Sequence, residues 1–359
     1  MKKLKNKICI AMSGGIDSSV AAAILKNQGY NCIGIFMKFW SDPSIEIDND
    51  NANKCCSIES FQSARRIAHK LGFPIYTVNF KKPFKKQVVD DFLYQYKIGR
   101  TPNPCVTCNK FIKFDLLWKK AKMLNCNFLA TGHYVIKTAD TNQNSKFKLF
   151  QGKDKNKDQS YFLYNLKPHQ LKNLLFPLGN YTKPQVREMA KKFNIPESNR
   201  PESQEICFTP KNHNEFLKRY LKLKSGPITN TGGKIIGRHE GLPLYTLGQR
   251  KGIKIGGPGP FYVVKIDYQK NTLIVSNKKN DPLLYSKQFT IKKTNWLIDK
   301  KDELICQVKI RYQSPSVKCK VKNNSVTLFQ PQRAIVPGQS AVFYNQKQII
   351  GGGIIDRIK

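Results

Sequence analysis

The segment Ser13 to Ser18 (SGGIDS) has the composition of a phosphate-binding loop, and it lies between a predicted buried strand and a predicted helix. Glycine lets the backbone approach an anion, and the first amides of a helix point towards it with the positive dipole end behind them. The spacing is neither that of a Walker loop nor that of a dinucleotide fingerprint. Asp17 would repel a bare phosphate, so we expect it to bind Mg²⁺ or to cap the helix. The alternative is an ordinary glycine turn.

Two cysteines with polar flanks are candidate nucleophiles. Cys108 ends a turn-rich stretch before a helix predicted from Lys110 to Leu124, and Cys207 lies in another apparent loop. Positive charge at a helix N-terminus stabilises a thiolate, so we expect Cys108 to be reactive at neutral pH. Zinc is not expected, because it needs four ligands and no second Cys-x-x-Cys motif completes a site.

The other cysteines of the ten in the chain are interpreted differently. Cys55 and Cys56 begin a predicted helix and remain ambiguous, with a structural role favoured. Five more lie in or beside strand patterns, where a buried, inert thiol is the expected state. These five are Cys9, Cys32, Cys126, Cys306 and Cys319.

Strands and helices alternate along the first half of the chain, which predicts a doubly wound parallel α/β sheet. In such sheets ligands bind at the carboxyl ends of the strands. The predicted strands are Lys7 to Met12, Asn31 to Met37, Ile75 to Val78 and Asn127 to Thr131. The predicted helices are Ser18 to Asn27, Ser57 to Leu71, Phe84 to Tyr96 and Lys110 to Leu124.

The second half of the chain has a different composition and a different hydrophobic periodicity. Asp140 to Asp158 is polar and predicts a surface loop or hairpin, and Thr182 is expected to cap a helix that ends near Phe193. Beyond Leu283 the pattern is β throughout, as in a small antiparallel barrel or sandwich. We therefore predict an α/β domain at 1–212, a small central domain at 213–282 and a C-terminal β domain at 283–359.

The chain is strongly basic, with 62 Lys and Arg against 24 Asp and Glu and a formal charge of +38. Such a balance favours a polyanionic partner, first of all nucleic acid, although compositional drift is an alternative. No apolar run approaches the ~20 residues of a membrane helix, and the basic start lacks a cleavable signal pattern. We expect a cytoplasmic protein with no membrane partner.

A series of motifs along the chain resembles, in the same order, that of the tRNA-specific 2-thiouridylases. Its glycine loop is similar to that of the ATP pyrophosphatases. The resemblance spans essentially the whole chain and implies that the three domains are an ATP-binding adenylation and sulfurtransferase domain (1–212), a small central domain (213–282) and a C-terminal β-barrel (283–359). The motifs are AMSGGIDSS, GRTPNPCVTCNKFIKFD, ATGHY, KDQSYFL, SQEICF, GQRKG and IRYQSP.

The resemblance implies ATP- and Mg²⁺-dependent 2-thiolation of the wobble uridine in tRNAs for Lys, Glu and Gln, with release of AMP and pyrophosphate. It makes Cys108 the nucleophile and Cys207 the carrier of a persulfide received from a sulfur-donor protein. The implied ATP-binding residues are Ala11, Met12, Ser13, Gly14, Gly15, Ile16, Asp17, Ser18, Met37 and Gly132. Those lining the target base are Asn103, Pro104 and Cys105, and those meeting tRNA are His133, Lys157, Asp158, Gln159, Arg311, Tyr312 and Gln339.

Cys105 departs from the family pattern, since many members have an aspartate there to which a proton-handling role is given. A neutral thiol is a poorer general base than a carboxylate at its usual pKa, so that role is in doubt. The three thiols Cys105, Cys108 and Cys207 would alternatively hold an iron–sulfur cluster with one open iron site.

Two other functions compete with this interpretation. One is an ATP pyrophosphatase acting on a small molecule, as in argininosuccinate synthase-like or amidating ligases, which need neither paired cysteines nor a basic barrel. The other is a tRNA-binding chaperone or scaffold without catalysis, against which the intact loop and both cysteines argue. His133, which follows a predicted strand end, has the alternative of a structural histidine.

Overall fold

The computed structural model describes most of the chain, and Cys55 and Cys56 lie outside the described part. The residues described are 6–43, 57–140, 147–195, 206–209, 213–256, 259–299 and 301–359.

Strands and helices are numbered in chain order. The strands of the first half are β1 (Lys7–Met12), β2 (Asn31–Lys38), β3 (Ile75–Asn79), β4 (Phe128–Ala130), β5 (Val135–Ala139), β6 (Phe147–Gln151) and β7 (Leu174–Leu175). Those that follow are β8 (Gly226–Asn230), β9 (Ile235–His239), β10 (Tyr262–Asp267), β11 (Thr272–Ser276), β12 (Tyr285–Trp296), β13 (Glu303–Lys309), β14 (Val317–Lys322), β15 (Ser325–Arg333), β16 (Ser340–Asn345) and β17 (Gln348–Ile358).

The helices are α1 (Ile16–Asn27), α2 (Ile58–Lys70), α3 (Lys81–Phe84), α4 (Asp90–Lys97), α5 (Pro104–Cys108), α6 (Leu117–Met123), α7 (Pro168–Leu171), α8 (Lys183–Lys192) and α9 (His213–Tyr220). The π-helical segments Lys85–Val89 and Asn109–Leu116 join α3 to α4 and α5 to α6.

The predicted doubly wound sheet is confirmed, with parallel strands in the order β3-β2-β1-β4-β7. Successive side chains of a strand point to opposite faces. Ile8 and Ile10 of β1 accordingly pack with α1, α2 and α8, whereas Cys9 packs with α4 and α6 on the other face. Strand β7 was not predicted, because two apolar residues give no periodicity.

The C-terminal strands form a barrel rather than a sandwich. Strands β12 to β17 follow the order β12-β15-β14-β13-β16-β17, and pairing of β12 with β17 closes the sheet. The enclosed core contains Phe289, Val308, Leu328 and Phe343. The five cysteines expected in strand patterns are all buried, as predicted.

The segment Asp140 to Asp158, predicted as a surface loop or hairpin, contains the second strand of a hairpin formed by β5 and β6, whose first strand begins earlier than predicted. This hairpin belongs to the sheet of the barrel. Leu149 and Phe150 of β6 pair with Ile349 and Gln348 of β17. The segment that follows β4 is therefore hydrogen-bonded to the C-terminal barrel. The hairpin and the barrel strands form one continuous eight-stranded sheet. The hairpin's tip, 141–146, lies outside the described residues.

A four-stranded sheet forms the small central unit, in the order β10-β11-β8-β9, with β8 parallel to β11. Helix α9 leads into it, and Phe216 of that helix is fully buried. Along the described ranges, no helix has the combination of length and apolar character that a membrane span requires.

Candidate functional site

The glycine loop joins β1 to α1 at the carboxyl edge of the parallel sheet. Gly14 has a φ of +74°, and a Cβ there would lie 2.1 Å from the carbonyl oxygen of Ser60. Ser63 donates a hydrogen bond of 2.9 Å to the Gly14 carbonyl oxygen, which fixes the loop against α2. Only glycine meets both conditions at this position. Gly15, the N-cap residue, has no side chain to cap α1, so the first amides of the helix remain available to an anion.

Asp17 lies in the first turn of α1, but it does not cap the helix. The N-cap residue is Gly15, so the capping alternative is wrong. Asp17 Oδ1 instead accepts hydrogen bonds from Tyr134 Oη and Lys183 Nζ, each at 2.7 Å. A Mg²⁺ ion that bridges nucleotide phosphates needs only one or two protein carboxylates, so a single aspartate at this loop fits such an ion.

Gly132, predicted with the ATP-binding residues, is brought to the same loop by the end of β4. A Cβ on Gly132 would lie 2.9 Å from the Ser18 amide nitrogen, so the two segments touch through their backbones. Met37, also predicted, is buried near the end of β2 beside β1. The sequence reasoning did not find Lys183, which follows the capping Thr182 and has the pattern of an ordinary first-turn residue.

The helix that carries two of the cysteines begins earlier than predicted. Asn103 is its N-cap and accepts a hydrogen bond of 3.3 Å from the Val106 amide, so α5 begins at Pro104. Cys105 therefore lies in the first turn of α5, whereas Cys108, predicted at or near the helix N-terminus, lies one turn further from it. The helix dipole acts mainly within one turn, so it favours a thiolate at Cys105 more than at Cys108.

Cys207 lies on a short turn that is fixed by its neighbour. Phe208 is buried, with ring centroids 5.8 Å from Phe84, 5.3 Å from Phe92 and 5.6 Å from Phe216. Cys207 is half-buried and packs against the same apolar core that contains Cys108. The rest of the SQEICF motif before Ile206 lies outside the described residues.

The iron–sulfur alternative requires Cys105, Cys108 and Cys207 to converge on one point. Among the residues that the structure describes, no three His, Cys, Asp or Glu side chains are grouped so that they could hold a metal ion. Cys105 is exposed whereas Cys108 is buried one turn later on the same helix. The three thiols do not fit a cluster in this arrangement.

A cavity of about 1150 Å³ lies where the barrel meets the β5–β6 hairpin, and Tyr312 and Asp158 line it. The ring of Tyr312 is 4.4 Å from that of Phe162, between centroids. Burial, followed by the charges of Asp158, Asp154 and Cys105, raises the pKa of Tyr312 to about 12, so its hydroxyl remains protonated at neutral pH. Four lysines also line this cavity: Lys153, Lys155, Lys309 and Lys347.

Asp158 and Gln159, predicted to meet tRNA, bond within the protein. The Asp158 carboxylate accepts hydrogen bonds from the Gly152 and Ser160 amides at 3.1 and 3.0 Å. Gln159 Oε1 accepts one of 3.1 Å from the Tyr134 amide. These bonds fix the loop beside the cavity. They also connect it to the glycine loop, because Tyr134 Oη donates a hydrogen bond to Asp17. The neighbouring Lys157 is half-buried.

His133 is 8% exposed and packs between Phe114 and Phe176. Its Nδ1 lies 2.7 Å from Thr131 Oγ1, within hydrogen-bond distance. Burial, with a smaller contribution from Lys113, lowers the pKa of His133 well below its usual value. The imidazole is therefore neutral at physiological pH. Its burial and its contact with Thr131 are those expected of a structural histidine, the alternative given for this residue.

Gln339 and Arg311 lie in loops of the barrel. Gln339 Nε2 donates a hydrogen bond of 2.9 Å to the Thr101 carbonyl oxygen, and the Thr101 amide donates one of 2.9 Å to the Pro337 carbonyl oxygen. Gln339 thus contacts the loop that leads into α5. Arg311 is exposed, and its backbone is bonded to Ser314.

The chain matches family models over almost its full length. Residues 6–211 match a model described as the tRNA methyl transferase HUP domain, residues 214–277 its PRC-barrel domain, and residues 286–355 an aminomethyltransferase beta-barrel domain. A likeness to the solved NMN synthetase of Francisella tularensis covers 56% of this chain and 67% of that one, at 17% identity and a TM-score of 0.35, too low to support an argument.

Curated relatives extend this match to full length. A tRNA-specific 2-thiouridylase of Halothermothrix orenii is 47% identical over 98% of this chain and 99% of its own. The enzyme of the same name from Clostridioides difficile is 41% identical over 99% of both chains. Identity at this level, over the glycine loop, the cysteine helix and the barrel together, shows that the chain belongs to the tRNA-specific 2-thiouridylase family.

Proposed function

We propose that this protein is the tRNA-uridine 2-sulfurtransferase that acts on the wobble uridine of tRNAs for Lys, Glu and Gln. One observation supports this most directly: Ala11 at the glycine loop, Met37 and Cys108 share one buried core, against which Cys207 packs. Phosphate-binding and thiol groups on a common scaffold suit a reaction that activates an oxygen and then replaces it with sulfur.

Activation comes first, because a uracil C2 oxygen is a poor leaving group. That oxygen attacks the α-phosphorus of ATP, the N3 proton passes to water, and pyrophosphate leaves. The amides at the start of α1 stabilise the phosphates, as preorganised donors do for developing charge. Mg²⁺, when bound, neutralises phosphate charge, and Asp17 would hold it.

Sulfur transfer follows through the two thiols. The outer sulfur of a Cys207 persulfide, supplied by a donor protein, attacks C2 and AMP departs. The Cys108 thiolate then attacks the Cys207 sulfur, breaks the sulfur–sulfur bond and releases 2-thiouridine. A Cys108–Cys207 disulfide remains, and an external thiol reductant restores both cysteines. The turn that carries Cys207 is anchored by Phe208 against the shared core, which supports such an approach.

The tRNA would bind across the junction of barrel and hairpin. The four lysines of the cavity suit phosphates, and the half-buried Tyr312 offers an aromatic face for a base. Cys105 is exposed in the first turn of α5, which supports placing the target base beside the start of that helix. Asn103 caps the same helix start.

Pyrophosphate release with and without tRNA tests this function. The thiolation reaction requires release that depends on tRNA and a thiolated product when a persulfide donor is added. Release that depends on a small amine or acid acceptor instead would indicate an ATP pyrophosphatase of another kind. Binding of tRNA with no release under any condition would indicate a scaffold.

A further inference from the structure

Lys183 is a buried lysine whose position is fixed by its own helix. It is 6% exposed and is the first residue of α8. Thr182 and Gln185 form a capping box there, and the Lys183 amide donates a hydrogen bond of 2.8 Å to Asp154 Oδ2. The start of α8 is therefore held at two points, and the side chain extends from it towards α1.

The ammonium group of Lys183 ends at the glycine loop. Lys183 Nζ is 2.7 Å from Asp17 Oδ1, and the same oxygen accepts the 2.7 Å hydrogen bond from Tyr134. Nζ also lies 5.9 Å from the centroid of the Tyr134 ring, within cation–π range. Three elements, α1, α8 and the segment after β4, thus hold one positive charge beside the amides of α1.

A buried ammonium group costs free energy even when it is paired, so packing alone does not account for a lysine at this position. Asp17, its carboxylate partner, is 34% exposed and so faces the open side of the loop. An ammonium group has three donor hydrogens and can bond Asp17 and a phosphate oxygen together. Lysine serves as a point charge on β- and γ-phosphates in other nucleotide-binding loops, and this loop contains none of its own.

We infer that Lys183 is a catalytic residue that binds the β- and γ-phosphates of ATP and stabilises the departing pyrophosphate. This inference rests on the proposed adenylation. As the uracil oxygen bonds to the α-phosphorus, the bond from that phosphorus to the bridging oxygen breaks, and the electron pair goes to pyrophosphate. Lys183 neutralises the charge that develops there, and Asp17 and Tyr134 hold its ammonium group in position.

The test compares Lys183→Met and Lys183→Gln with Lys183→Arg and with a control, Lys26→Met, in the full chain. Lys26 is in the same domain and donates a hydrogen bond of 2.9 Å to the Gly72 carbonyl oxygen, so the control removes one charge away from the loop. Two quantities are measured: the dissociation constant of pyrophosphate without tRNA, and the single-turnover rate of AMP formation with ATP, Mg²⁺ and tRNA.

For Lys183→Met and Lys183→Gln we expect pyrophosphate affinity to fall at least tenfold and AMP formation to fall about 100-fold, as for loss of one preorganised charge-stabilising donor. Lys183→Arg should recover part of both, because it retains the cation. The dissociation constant for tRNA should remain within about twofold of wild type in every variant.

Wild-type pyrophosphate affinity and AMP formation in a folded Lys183→Met or Lys183→Gln variant would overturn the inference and leave Lys183 as a structural partner of Asp17. The pyrophosphate measurement needs no tRNA, so it separates this inference from the proposed function. If wild type binds pyrophosphate through Lys183 but never forms AMP with tRNA, the proposed function fails and the phosphate site remains.

Discussion

At the residue scale, the three thiols of the candidate site differ in burial, a difference that the sequence did not predict. Cys105 is exposed in the first turn of α5, Cys108 is buried in the second, and Cys207 is half-buried on a separate turn. The proposed reaction needs only the last two, because one carries the sulfur and the other releases it.

Replacing either Cys108 or Cys207 by serine is expected to stop thiolation, with product below about 1% of wild type. Adenylation should continue, because neither thiol belongs to the phosphate loop. The measurement is thiolated nucleoside and AMP in the same reaction, with a preformed persulfide donor. An active Cys207→Ser variant would overturn the assignment of the sulfur carrier.

Cys105→Asp is the matched variant on the same helix, and it introduces the aspartate that the family resemblance implies for this position. Activity without iron in this variant, prepared anaerobically, would exclude a required cluster. A cluster mechanism would instead lose iron and activity together, because a carboxylate is a harder ligand than a thiolate.

The buried histidine predicts a pH dependence of stability. An unfolded chain protonates His133 below about pH 6.5, whereas the lowered pKa keeps the folded form neutral. The unfolded state therefore binds more protons, and the free energy of unfolding should fall as pH drops from 7.5 to 5.5.

His133→Gln should flatten that dependence by up to about 1.4 kcal/mol per pH unit in urea unfolding. The pKa values of His213 and His239 are also lowered, chiefly by burial, so the informative quantity is the difference between variant and wild type. An unchanged slope would show that His133 titrates normally.

At the element scale, the loop before α5 is held by the barrel. Arg100 Nη2 is 2.5 Å from Asp356 Oδ1 of β17, and Thr101 is bonded to Pro337 and Gln339. Thr101 Oγ1 also lies 3.2 Å from Thr246 Oγ1 of the central unit. The start of the cysteine helix is therefore positioned by all three parts of the chain.

Asp356→Asn is expected to lower the turnover of thiolation about tenfold while leaving the dissociation constant for ATP unchanged, because small displacements of reacting groups are costly. Hydrogen bonds from Lys292 and Arg100 lower the pKa of Asp356 to about 2, so it is ionised in any such assay. The control is Glu303→Gln, which breaks an exposed pair with Lys320 at 2.7 Å and should have little effect. Equal turnover in the two variants would show that the Arg100 contact does not position α5.

At the scale of the whole molecule, the barrel cannot be removed to isolate tRNA binding. Strand β17 pairs with β6, so a truncation at Leu283 would also expose the edge of the hairpin. Substitutions in the cavity are the cleaner test, because they leave the pairing of the strands intact. Lys153, Lys155 and Lys347 are exposed, whereas the Lys309 side chain is 17% exposed and lies 3.7 Å from Asp158 Oδ2.

Changing the four cavity lysines to glutamine is expected to weaken tRNA binding and to reduce its salt dependence. The slope of log affinity against log salt should become shallower by about 0.7 to 0.9 for each phosphate that a lysine no longer neutralises. The measurement is tRNA affinity between low and moderate salt. The control changes four exposed lysines elsewhere and should retain the wild-type slope: Lys191, Lys192, Lys270 and Lys278. Equal slopes in both variants would place the tRNA outside this cavity.

The sequence alone determined the features that depend on local pattern. Alternation of apolar runs predicted the parallel sheet, and glycines between a strand and a helix predicted the loop, because both signals lie within a few residues of chain. The capped helix at Thr182 followed in the same way.

Tertiary structure decided the contacts between residues that are distant in sequence. The pairing of Lys183 with Asp17, of Arg100 with Asp356 and of β6 with β17 joins segments that no local pattern connects. Closure of the barrel likewise depends on the pairing of its first strand, β12, with its last strand, β17. The earlier start of α5 was missed for a related reason: Asn103 and Pro104 have the composition of a turn, and only the packing of Val106 and Cys108 into the shared core shows that they begin a helix.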